Sequence, residues 1–82
     1  MQLVKGMVVR SKAGHDKGCF FVVIKVENGF AYIADGMERK ALAPKKKNPL
    51  HLAGTLTVLN EQSLLTDSKI CEIIAEFKGK LS

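Results

Sequence analysis

The chain has 82 residues, about half the usual domain length, so it encodes one domain and at most a tail. A hydrophobic fraction of 46% beside 26% charged residues is ordinary for a folded protein and excludes a disordered, apolar-poor chain. So short a domain argues against a large catalytic cleft, while 13 Lys+Arg against 8 Asp+Glu, a net charge of +5, points towards a polyanionic partner.

Short strands separated by glycine turns dominate the first part of the chain. Met7-Val8-Val9-Arg10 predicts a first strand after Gly6, and residues 11–18 a loop, with Gly14 and Gly18 where unusual backbone angles are needed. Cys19 to Val26 predicts a long central strand, buried on both faces near its middle because its apolar run is unbroken. Glu27-Asn28-Gly29 is a hairpin turn, since Asn-Gly supplies the positive φ angles of a type I′ turn. Phe30 to Ala34 is the return strand and Asp35-Gly36 a second turn, with the Asp35 carboxylate bonding its own backbone. Met37 to Leu42 is expected as a third hairpin arm, the segment from Pro44 to Pro49 as a loop, and Leu50 to Leu59 to hold a last strand, around Leu56–Leu59 or slightly earlier. The period then changes. Ile70, Ile73, Ile74 and Phe77 fall at helical spacing, with Thr66, Asp67 or Ser68 as N-cap and Gly79 as the stop.

The fold expected from this pattern is mainly β: a small five-stranded barrel over residues 1–60, then a C-terminal segment, 61–82, with a short α-helix over about 67–78. Closing the sheet would remove its exposed edges. No apolar run reaches signal-peptide or membrane-span length, which predicts a cytoplasmic protein with no membrane contact, monomeric when free. Cys19 and Cys71, far apart and outside any CxxC, read as small buried hydrophobes rather than as a disulfide or zinc site.

Charge is uneven along the chain. Residues 1–51 hold ten basic side chains against four acidic ones, and residues 52–82 hold three against four. The positive field therefore belongs to the first part.

The stretch Gly6-Met7-Val8-Val9-Arg10-Ser11-Lys12-Ala13-Gly14-His15-Asp16-Lys17-Gly18-Cys19-Phe20-Phe21-Val22-Val23 resembles a KOW motif, two hydrophobic strands joined by a loop ending at a characteristic glycine, here Gly18. The likeness extends through Tyr32-Ile33-Ala34-Asp35-Gly36, Arg39-Lys40 and Lys45-Lys46-Lys47-Asn48-Pro49-Leu50-His51-Leu52, covering roughly residues 5–55. That longer pattern is similar to the KOW-bearing large-subunit ribosomal proteins of archaea and eukaryotes and to their short bacterial relatives. Cys19-Phe20-Phe21 fills the place where many KOW motifs carry a second glycine, which fits the ribosomal type better than the transcription-factor type. The resemblance implies an SH3-like barrel that binds RNA, usually ribosomal RNA, as a ribosomal or ribosome-associated protein in translation, with ribosomal proteins as further partners. The alternative is a protein-interaction module, as KOW barrels are in transcription factors.

The residues expected to carry RNA binding are Arg10, Lys12, Lys17, Gly18, Arg39, Lys40, Lys45, Lys46, Lys47 and His51. The lysine triplet, read as a loop, concentrates charge that can pair with several phosphates and release their counterions. Loop lysines of that kind contribute little to folding. Around the loop ending at Gly18, glycine permits close backbone approach to phosphate, and Arg10, Lys12 and Lys17 supply counter-charge. Phe20, Phe21, Phe30, Tyr32 and Phe77 lie within apolar strands or the helix and at least three are expected in the core, so recognition should lean on backbone and shape more than on base stacking. His15 and His51 lack partners at metal spacing, and no serine sits in a nucleophile elbow, so neither catalysis nor a cofactor is expected.

Overall fold

The computed structural model describes residues 2–61 and 66–80. Five antiparallel strands form one sheet: β1 (Met7–Ser11), β2 (Phe20–Glu27), β3 (Phe30–Ala34), β4 (Lys45–Lys47) and β5 (Leu52–Val58), in the order β4-β3-β2-β1-β5. A 3-10 turn, Pro49–His51, joins β4 to β5, and the C-terminal helix α1 spans Asp67–Lys80. No helix among the described residues is long and apolar enough to cross a membrane.

The central hairpin forms where the sequence places it. Val22 pairs with Ala34 and Glu27 with Phe30, and the turn between them holds Asn28 at φ 51° and Gly29 at φ 81°. Those two positive angles match the right-handed twist of the flanking strands. Asp35 makes the expected turn, its carboxylate accepting from the backbone N–H groups of Met37 (2.9 Å) and Arg39 (3.0 Å).

Three expectations are corrected. Residues 37–42 form no strand; the Asp35 turn diverts the chain, and Leu42 is left almost wholly exposed. The lysine triplet is not a loop but strand β4, with Ala31, Tyr32 and Ile33 opposite Lys47, Lys46 and Lys45. Pairing to β3 here overrides the weak strand preference of lysine. The sheet does not close into a barrel. β4 and β5 are its two edges and do not pair. β4 is only three residues long, and the following 3-10 turn begins at Pro49, which has no N–H to extend a ladder. The last strand, Leu52–Val58, lies within the expected span Leu50–Leu59.

Both faces of the sheet are nonetheless buried at its centre. Met7, Val9, Phe21, Val23, Ala31, Ile33 and Leu52 form one core, with Leu3 packed against it. Val8, Phe20, Val22 and Ala41 form the other with Ile70 and Ile74 of α1. Register shifts between Met7 and Val9 against β5, and between Val23 and Lys25 against β3, mark irregularities where the ladder bends. The helical stripe packs as its spacing predicts: Ile70 and Ile74 are buried, Ile73 and Phe77 half-buried, and the Phe77 ring lies 5.4 Å from that of Phe20. Asp67 opens the helix, and its carboxylate accepts from the Ala41 N–H (2.8 Å), tying the helix start to the chain after β3. The helix runs through Gly79 rather than stopping there.

Candidate nucleic-acid interface

The site begins with Asp16, in the loop between β1 and β2. Ser11 is buried at the end of β1, and its hydroxyl Oγ lies 2.8 Å from Asp16 Oδ1 and 3.0 Å from the Ala13 carbonyl. Lys45 and Lys47 alternate with Lys46 on β4, so both project from the Ala31/Ile33 side of the sheet. Lys47 Nζ donates to Asp16 Oδ1 (3.0 Å) and to the Ala13 carbonyl (3.3 Å), and Lys45 Nζ donates to Asp16 Oδ2 (3.3 Å). These contacts bridge the edge strand β4 to the β1–β2 loop with side chains, on a sheet whose two edges share no backbone ladder.

Burial opposes the Asp16 charge, but the hydrogen bonds from Ser11, Lys47 and Lys45, with the Lys47 charge beside it, outweigh that penalty and hold the carboxyl well below the usual carboxylate range. Asp16 is therefore ionised at neutral pH, and its one negative charge is shared between Lys45 and Lys47. The side chain of Lys47 is only 11% exposed and that of Lys45 35%. Lys46 points the other way and lies over the Phe30 ring, 4.2 Å from its centroid.

The remaining expected residues fall around this hub in distinct places. Lys12 and Lys17 are exposed in the loop, and Gly18 closes it at φ 89°, donating its N–H to the Ser11 carbonyl (2.8 Å). The Lys12 N–H donates to the His51 carbonyl (2.8 Å), so the loop and the 3-10 turn, with exposed His51, lie side by side. Arg10 is exposed on the same sheet face as Val8, beside Phe20 rather than beside the Asp16 cluster. Arg39 and Lys40 are exposed after the Asp35 turn, and Lys40 Nζ is 3.4 Å from the Gly36 carbonyl.

A groove of about 490 Å³ joins some of these pieces. His15, Asp16 and Cys19 from the loop, Arg39 after the turn, Lys45 of β4, and Cys71 and Lys78 of α1 line it over a floor that includes Phe20 and Ile74. Asp35 also lines it, but its carboxylate is engaged by backbone N–H groups. Arg39 and Lys78 carry no ion pair among the described residues. Sequence reasoning misses Lys78, which sits on a helix in the acid-rich part of the chain and reaches the groove that Arg39 and Lys45 line through the packing of α1.

The cysteines correct the sequence reading. Cys19 is exposed and Cys71 half-buried, both as free thiols on the groove, and Cys71 Sγ lies 3.6 Å from the Asp35 carbonyl. Neither is a core hydrophobe. Three of the five aromatic residues pack in the cores, as expected: Phe20 and Phe21 are buried and Phe77 packs against the cluster under α1, whereas Phe30 and Tyr32 are half-buried and belong to neither core. Among the described residues no three His, Cys, Asp or Glu side chains converge as a metal site. No family model and no curated protein matches this chain.

Proposed function

We propose that this protein is a non-enzymatic RNA-binding protein that acts in translation on ribosomal RNA, as a ribosomal or ribosome-associated component of the cytoplasm. One observation carries the reading. The acidic residue of the β1–β2 loop is spent internally on Lys45 and Lys47, while Arg10, Lys12, Lys17, Arg39, Lys40 and Lys46 stay exposed with no carboxylate partner among the described residues. Unpaired surface cations of this density attract a polyanion. The KOW resemblance of residues 5–55 supports RNA as that polyanion and an SH3-like relationship for the sheet.

Recognition is mainly of phosphate. Exposed lysines act as point charges and carry little base information, whereas Arg10 and Arg39 can grip a phosphate with two parallel hydrogen bonds. About four to six phosphate contacts on a single strand would give a log–log salt slope of about −3 to −4. Titration of a ribosomal RNA fragment at rising salt tests this, and a slope near zero contradicts it.

A protein-interaction module is the second reading, favoured by one feature. Strand β5 is a sheet edge with exposed Leu56 and Val58, the kind of apolar, unpaired edge that can accept a partner's strand.

A further inference from the structure

Phe30 and Tyr32 sit on the same side of β3, the side opposite Ala31 and Ile33 of the first core. On this sheet face α1 covers Val8, Phe20 and Val22, while Phe30 and Tyr32 join neither core cluster. They are flanked instead by cations. In register, Tyr32 stands between Lys25 of β2 and Lys46 of β4. Lys25 Nζ lies 4.7 Å from the Tyr32 ring centroid and Lys46 Nζ 4.2 Å from that of Phe30. Three adjacent strands thus present a row of cation, aromatic ring and cation, with a second ring beside it.

We infer that Phe30 and Tyr32, with Lys25 and Lys46, form a base-stacking platform for single-stranded RNA. The inference rests on the RNA-binding reading and adds a mode of contact to it. Charge and ring chemistry select the occupant together. A protein side chain or an isolated anion would use one of the two, whereas a nucleotide offers a flat π-face to the ring and a phosphate to the ammonium. Both lysines are exposed, and an exposed cation–π contact is a weak hold. Each can swing from its ring to a backbone phosphate as a base takes its place. Lys25 also exchanges Glu27, whose carboxylate lies 3.2 Å away, for that phosphate. Stacking of this kind tolerates any base, so the platform adds affinity rather than sequence choice.

Tyr32 is the chain's single tyrosine and the chain has no tryptophan, so tyrosine emission reports on this platform alone. The test is the Tyr32 fluorescence lifetime, which absorption by the titrant does not change, during titration with a short oligouridylate and, separately, with inorganic polyphosphate. Binding is followed in parallel by filter retention. The expected result is a saturable shortening of the lifetime with oligouridylate and none with polyphosphate. Phe30→Leu should weaken oligouridylate binding about 5- to 150-fold and leave polyphosphate binding unchanged. If oligouridylate binds without changing the lifetime, and Phe30→Leu binds it equally well, the platform is wrong and the RNA-binding reading survives. Equal shortening by polyphosphate also overturns the platform, because displacing the lysines would then suffice. If oligouridylate does not bind at low salt, both the platform and the reading beneath it fail.

Discussion

Asp16 connects stability to pH in a way that can be measured directly. Its folded-state carboxyl is held below the unfolded value of about 3.9. The ionised form therefore stabilises the fold at every pH above that value, and the stabilisation is lost as pH falls below about 4 towards the folded-state value. Asp16→Asn should lower stability at pH 7 by about 2–4 kcal/mol, because it strips the carboxylate from a largely buried Lys47. Denaturant melts should show the gap between variant and wild type narrowing as pH drops below 4. A gap that is constant with pH would contradict the ion-pair account. Lys47→Ala should destabilise similarly, whereas Lys46→Ala should shift stability by no more than about 0.5 kcal/mol, since its ammonium is exposed. Composition alone treats all three lysines alike. Their difference is not legible in the sequence because it depends on a carboxylate about thirty residues away reaching two alternate positions of a strand, and three consecutive lysines give no sign of a strand.

At the scale of elements, the helix and the Asp35 turn depend on one another. Gly36 has φ 79°, and a Cβ there would collide with the Asp67 backbone carbonyl oxygen and crowd Cys71. Gly36→Ala should therefore cost roughly 1–3 kcal/mol from backbone strain alone, and more from the clash, which thermal melts would register. Ile74→Ala should cost about 2–5 kcal/mol, since the side chain is buried between sheet and helix. Little change in either variant would mean that α1 is not docked as described. The hairpin and the helical stripe are legible because local patterns specify them, Asn28-Gly29 for one and the spacing of Ile70, Ile73, Ile74 and Phe77 for the other. The end of the sheet is less so. Four of the five strands lie in apolar segments bounded by turns, but β4 is the lysine triplet and not the expected arm at residues 37–42, and closure depends on whether β4 and β5 meet, a pairing that a three-residue β4 ahead of Pro49 does not provide. The half-buried setting of Phe30 and Tyr32 is hidden for a related reason: how far α1 covers their side of the sheet depends on where the helix docks.

At the scale of the whole molecule, the positive surplus of residues 1–51 divides into two kinds of charge. Lys45 and Lys47 hold the β1–β2 loop to β4, and the exposed cations are available to a partner. A combined Arg10→Ala, Lys12→Ala and Lys17→Ala variant separates binding from folding, because none of the three has an ion pair among the described residues. Its melting behaviour should stay close to wild type, as surface charges contribute little to stability. The most direct test of the account is the affinity of wild type and this variant for a ribosomal RNA fragment as a function of salt. Wild-type binding should weaken steeply as salt rises, and the variant should bind more weakly at low salt with a slope shallower by about 0.7 for each single-strand phosphate that is no longer neutralised. A wild-type affinity that is undetectable at low salt, or a variant with the same affinity and slope as wild type, would contradict it.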